Sequence, residues 1–480
     1  MSRSNQGSSE HTNSAEAGSP LDVLLVLDRS ERRGLSAQLQ RQLRSAIQLG
    51  RLVPGTLLPP SRTLAHDIGV ARSVVVDAYQ QLAEDGYVGG RQGSGTRVLT
   101  IAHRDAEQPA AGGEPRHPFR LIGGLPDPGF FPRTEWLRHY RAALNGVPNH
   151  LLGYPGPTGA QPLRQALTNY LGRVRGVVAT ADQVLITTGI TQALVLVCRA
   201  LRSRGVEAVA VEDPCFGFHR DAIRNTGLRA IPIPVDGDGL DVAILAGHDV
   251  GAVLVAPAHS YPSGAVLSAA RRAELVAWAR ERHTLVIEDD YDAEFRYDRA
   301  PIGALQGLAP EQVAYAGCVS KTLTPALRLG WITLPGWLAE DVVRQKLLDD
   351  MGSSLVEQLA LASFIASGAL TRHLRRVRPI YRRRRDTTLD ALSAAMPGAM
   401  PSGVAAGLHL YVQLPTWCDE SGLIETALGQ GLLIEGASWH WSNPQSAPPA
   451  LVLGYGALNE TAIHEALVVL GSIYQRQQSR

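Results

Sequence analysis

Lysine is almost missing from this chain: of 46 Lys and Arg residues among 480, only Lys321 and Lys346 are lysine. Where positive charge alone is needed, arginine supplies it. A retained lysine is therefore a candidate for chemistry that guanidinium cannot perform, because an amine can lose its proton and form an imine with a carbonyl. Rarity by itself leaves Lys321 evenly balanced between that role and an ordinary surface position, and Lys346 is expected to be an ordinary surface residue. Cysteine is scarce too. Cys198, Cys215, Cys318 and Cys418 have no paired spacing, which argues against a cysteine metal site and suits reduced thiols. No uninterrupted apolar run approaches a membrane span, and the N-terminal stretch has no apolar signal-like segment. A cytoplasmic protein is expected.

Net charge is also nearly absent, at +1, but it hides a local bias. Residues 31–99 carry nine arginines against five acids, the sign that a phosphate backbone attracts. A length of 480 residues suggests two or three domains. Four segments follow from composition. Residues 1–30 read as a disordered tail, with Ser, Gly, Asn and Glu prominent over 1–20. Residues 31–100 form a small helical domain, 101–118 an Ala, Gly, Pro and charge-rich linker, and 119–478 a large α/β domain.

In the small domain Leu35, Leu39, Leu43 and Ile47 recur every four residues, as on one helix face. A short second helix near 61–68, a turn at Gly69, a third helix near 71–85 and a Gly-rich hairpin complete a winged helix-turn-helix pattern, with Val75 and Ala78 facing inward. A three-helix protein-interaction module has the same local pattern. On the DNA reading, Ala71-Arg72-Ser73-Val74 opens the recognition helix, and Arg72 can fork onto a guanine. Arg62, Ser73 and Arg91 are placed for phosphates or the groove rim, with Val74 beside them. Gly93-Ser94-Gly95 forms the wing tip, where absent side chains let the backbone approach DNA closely. The runs Leu58-Pro59-Pro60-Ser61-Arg62-Thr63-Leu64-Ala65, Gly69-Val70-Ala71-Arg72-Ser73-Val74-Val75, Leu82-Ala83-Glu84-Asp85-Gly86-Tyr87 and Gly93-Ser94-Gly95-Thr96 resemble the GntR-type winged-helix domain. That resemblance implies sequence-specific binding to a double-stranded DNA operator.

Beyond the linker, apolar runs at 184–187, 208–211, 252–255, 285–287 and 313–316 alternate with helical stretches, the pattern of a mostly parallel sheet. Ligands bind beyond the carboxyl ends of such strands. There the chain places Gly189-Ile190-Thr191 at a helix start, Phe216, the acidic run Glu288-Asp289-Asp290 with Tyr291, and Lys321 with Arg328 seven residues on. A phosphate cradle, a stacking ring, a carboxylate, an amine and an arginine are the parts that hold pyridoxal phosphate. Each has a plainer explanation alone: Phe216 as core, Gly189 as a turn, Arg328 as a solvated charge, the two aspartates as caps. Their joint placement at successive strand ends makes coincidence a poor account.

This region resembles the fold-type I aminotransferases over about 120–475. The match rests on Gly153-Tyr154-Pro155, Glu212-Asp213-Pro214, His259-Ser260-Tyr261-Pro262-Ser263-Gly264, Asp289-Asp290-Tyr291, Ser320-Lys321 and Arg328-Leu329-Gly330. The resemblance implies that Lys321 is the Schiff-base residue and Asp289 pairs the ring nitrogen. It implies that Tyr291 bonds the ring hydroxyl, with Tyr261 beside it where many relatives place Asn. Thr191 and Arg328 hold the phosphate, and Tyr154 reaches the phosphate of a neighbouring subunit. A winged helix fused to such a domain is the arrangement of MocR-family regulators, with a pyridoxine-biosynthesis subgroup among them. The family implies a domain-swapped homodimer. One departure bears on function: Val452, in the run Leu451-Val452-Leu453-Gly454-Tyr455, stands where aminotransferases carry the arginine that pairs with the substrate carboxylate. Arg220 is a candidate to compensate. The expectation is a transcriptional regulator sensing pyridoxal phosphate or an amine or amino-acid effector; an active aminotransferase with an accessory DNA-binding domain is the alternative. No metal site is expected. The arginine-rich stretch 372–385 is expected to be an exposed helix face, with a second DNA contact as the alternative.

Overall fold

A computed structural model describes residues 25, 27–28, 34–90, 95–100, 119–298, 302–403 and 405–479. Arg91, Gly93 and the 101–118 linker, with most of the 1–30 tail, lie outside the described residues. The chain divides into two compact units, parting between Pro115 and Arg116.

The first unit has helices Leu35–Gln48, Ser61–Asp67 and Arg72–Glu84, then an antiparallel ribbon of Val88–Gly89 with Arg97–Val98. The four-residue apolar period does what it predicts: Leu39, Leu43 and Ile47 are fully buried, with Val75, Ala78 and Leu82 from the third helix. Burying each of the larger apolar side chains contributes roughly 1.5–3 kcal/mol. Leu25 and Leu27 also pack on this core, so its apolar surface reaches back before residue 31. At the ribbon, a Cβ on Gly90 would lie 2.3 Å from the carbonyl oxygen of Gly95. Gly95 itself has φ +76° and faces Leu57. Side chains are excluded there by the packing of the strands themselves.

The second unit is a mixed eight-stranded sheet beside a five-stranded one. In the large sheet, Leu285–Asp290 lies between parallel neighbours Ala252–Val255 and Val313–Cys318. Gly330–Thr333 runs antiparallel to both Val313–Cys318 and Val184–Thr187. The five predicted runs are all strands, but two extend further than their apolar residues. Glu212-Asp213 and Glu288-Asp289-Asp290 are within strands, not beyond them. Buried hydrogen bonds compensate their polarity: Glu288 accepts from the amides of Leu305 and Gln306 at 2.8 and 2.9 Å, and Asp290 accepts from Arg175 at 2.7 Å. The smaller sheet joins Phe119–Leu121 in parallel to Leu432–Gly436, which pairs with Ala450–Gly454. The arginine stretch belongs to the long helix Ala369–Ala395, where Arg372, Arg375, Arg376, Arg382 and Arg383 are exposed and Arg384 is buried against Asp127. All four cysteines are buried free thiols. Among the described residues, no helix is long and apolar enough to cross a membrane.

Candidate functional site: a lysine pocket between two sheets

Strand ends from the large sheet and loops from the smaller one enclose a pocket of about 390 Å³. Lys321, Asp289, Tyr291, Phe216, Gly189, Thr191, Arg328 and Tyr261 all line it. Tyr154 does not; it is 87% exposed.

Three of these groups are left with unfilled bonding capacity. Lys321 sits three residues past Val313–Cys318 and makes no hydrogen bond or ion pair with the described residues. Asp289 is buried near the end of its strand. Its Oδ2 is 3.5 Å from Nδ1 of His219, while Oδ1 is buried without a partner among the described residues. A buried unpaired carboxylate oxygen is costly unless something else completes it. Burial holds the Asp289 carboxyl well above the usual range, aided by Asp290, Asp292 and Glu212 and opposed by Lys321. Arg328, at φ +49°, lays its guanidinium over Gly189, where a Cβ would lie 3.3 Å from Nη2. Gly189 has φ +133°, so the helix Ile190–Ser203 starts from a bare, left-handed residue with its first amides open. A helix N-terminus beneath a guanidinium suits a phosphate.

The aromatic groups are fixed from behind. The Tyr291 hydroxyl lies 3.1 Å from Nδ1 of His259, and the same nitrogen is 2.9 Å from Asp292. His259, Asp292 and buried His409 place potential ligand atoms within 4.8 Å of one another, but no ion is present. Burial pushes His219 down to about 4, Lys321 adding to the effect, so it meets Asp289 as a neutral ring near pH 7.

Several pocket residues escaped the sequence reading. Gly123 and Gly124 follow Phe119–Leu121; a Cβ on Gly124 would lie 3.2 Å from Nζ of Lys321, and one on Gly123 would collide with Tyr261 and Val452. A Gly-Gly pair just past a short apolar run was the available signal. His219, Trp439 and Glu435 gave none. Glu435 lines the pocket directly opposite Val452 in strand register, and Val452 is fully buried. Arg220 is no replacement for a substrate arginine. It is buried, donates at 2.9 Å to the carbonyls of Trp439 and His440, and does not line the pocket. Lys346 is no surface residue either. It is fully buried, and its amine bonds Gln192, Asp350 and Ser353 at 2.9, 2.6 and 2.8 Å, three acceptors that replace its water.

A winged helix-turn-helix in one unit and an aminotransferase fold with this lysine pocket in the other define a DNA-binding regulator with a pyridoxal phosphate-binding domain. Residues 35–98 match the bacterial regulatory proteins, gntR family, and 133–423 match aminotransferase class I and II. The chain belongs to the MocR family of GntR-type transcriptional regulators. It is 31% identical to the HTH-type pyridoxine biosynthesis transcriptional regulator PdxR of Corynebacterium glutamicum, covering 93% of this chain and 97% of that one. It is 30% identical to the probable rhizopine catabolism regulatory protein MocR of Rhizobium meliloti, over 95% and 97% of the two chains. Among solved structures, kynurenine aminotransferase of Pyrococcus horikoshii superposes with a TM-score of 0.68 at 26% identity, covering 75% of this chain and 91% of that one. The α-aminoadipate aminotransferase LysN of Thermus thermophilus gives 0.68 at 25%, covering 75% and 93%.

Proposed function

We propose that the pocket holds pyridoxal phosphate as the sensing element of the regulator, and that its ligand state sets how the winged helices meet DNA. The observation that carries this is the set of groups left unsatisfied around one cavity: the free Lys321 amine, the unpaired Oδ1 of Asp289 and the unpaired Arg328 over Gly189. Bound there, pyridoxal phosphate supplies an aldehyde that lysine and other primary amines can engage. Asp289 is the partner for a protonated ring nitrogen, a cation that would reverse the effect of burial on its carboxyl. Tyr291 and Tyr261 are placed for the ring hydroxyl, Phe216 for stacking, and Gly189, Thr191 and Arg328 for the phosphate. Tyr154 serves the phosphate of a second subunit in a domain-swapped homodimer, which fits its exposure here.

The head (31–100), linker (101–118) and sensor (119–478) would act together on a double-stranded operator in the cytoplasm. Arg62 is exposed on the second helix, and Arg72 and Ser73 are exposed and Val74 half-buried at the start of the third, with Gly95 on the wing. Arg91 and Gly93 are assigned to DNA with them. An effector shifts operator affinity only if it binds the two arrangements unequally. The relative from Corynebacterium suggests vitamin B6 synthesis genes as targets. The test is operator affinity as pyridoxal phosphate is titrated; an unchanged isotherm defeats the reading. The aminotransferase alternative lacks a carboxylate-binding arginine, since Val452 is aliphatic and Arg220 is committed to backbone carbonyls. Sustained glutamate formation from an amino acid and 2-oxoglutarate would restore it.

A further inference from the structure

The wall of the pocket built by the smaller sheet carries a group of the opposite sign to that required by an amino-acid carboxylate. Glu435 accepts from the Gly123 amide, the Tyr261 hydroxyl and Nε2 of His440, each at 3.2 Å. The amide of Gly217 points at Nδ1 of His440 at 3.4 Å, which fixes Nδ1 as the acceptor and Nε2 as the proton-bearing nitrogen. His440 thereby orients the Glu435 carboxylate from behind. Among the described residues, His440 is the only ion-pair partner of Glu435. Arg220, on the helix Gly217–Asn225, is bonded to the carbonyls of Trp439 and His440 and does not line the pocket. Phe216, Phe218 and Trp439 line the cavity with mutual ring distances of 5.2 to 6.1 Å. A carboxylate beside clustered aromatic faces attracts a cation and repels an anion.

The two functional ends are close. Lys321 Nζ abuts Gly124 and Glu435 Oε2 abuts Gly123, so one peptide unit separates the positions they flank. The amine and the carboxylate are therefore at most about 12 Å apart. We propose that the effector of this pocket is a short amine bearing a second cationic group, read by Glu435 within the Phe216, Phe218 and Trp439 rings. This rests on the pyridoxal phosphate reading above and adds the ligand class to it.

Three probes of equal chain length separate the possibilities: 1,4-diaminobutane, 1-aminobutane and 4-aminobutanoate, titrated calorimetrically into the cofactor-loaded full chain. The diamine should bind at least tenfold more tightly than 1-aminobutane, with 4-aminobutanoate weakest. Glu435→Gln should remove the preference for the diamine over 1-aminobutane. The ranking on the unaltered protein stands even if that variant fails to fold. Equal or tighter binding of 4-aminobutanoate overturns the proposal, as does a folded Glu435→Gln that keeps the full ranking. Cofactor uptake is measured first by visible absorbance: if none occurs, the cofactor reading falls and this proposal with it, whereas uptake followed by a carboxylate preference overturns this proposal alone.

Discussion

At one end of the pocket Lys321, one oxygen of Asp289 and the guanidinium of Arg328 have no partners among the described residues; at the other, Glu435 already accepts three hydrogen bonds and its register partner Val452 is fully buried. The first end is organised for a large, multiply charged guest whose groups complete bonds the protein leaves open. The second is complete in itself and presents only a field and aromatic faces.

The comparison can be broken most severely at Lys321. Lys321→Ala should abolish the imine absorption band that forms when pyridoxal phosphate is added; an unchanged imine band would shift the linkage to another amine. The contrasting change is at the other lysine. Lys346→Met should leave that band intact yet cost about 2–4 kcal/mol of stability in denaturant unfolding, because a buried amine with three partners is lost. A stable Lys346→Met protein with altered absorption would make Lys346 part of the site. Asp289→Asn tests the unfilled carboxylate: losing a charged hydrogen bond worth about 1.5–3 kcal/mol should weaken cofactor affinity by roughly ten- to a hundredfold. Unchanged affinity would mean that His219 alone satisfies Asp289. The smallest expected effect is in the other unit. Arg72→Ala should relax operator discrimination by about 1–3 kcal/mol, whereas uniform weakening across sequences would reassign Arg72 to phosphate.

Legibility in the sequence followed the range of the interactions. Helix period, strand runs and strand-end residues are local, and they led to seven of the pocket residues, all near carboxyl ends of the large sheet or in the segments that follow; Tyr261 came only from the aminotransferase resemblance. Glu435 was invisible because its importance arises only when Leu432–Gly436 pairs with Ala450–Gly454 and sets it opposite Val452. Lys346 was misjudged for a related reason. Its neighbour Asp350 is one helical turn away, but Gln192 comes from a distant helix, and burial depends on both. The strands containing Glu212 and Glu288 were read short because polar residues end an apolar run in sequence, whereas amides from elsewhere in the fold satisfy these carboxylates inside the sheet.

The most direct measurement joins the two units: affinity of the full chain for DNA from its own upstream region, with pyridoxal phosphate titrated from none to saturation. The account predicts a shift of tenfold or more that disappears in Lys321→Ala. Superimposable isotherms, in a protein whose absorbance shows the cofactor bound, would contradict it.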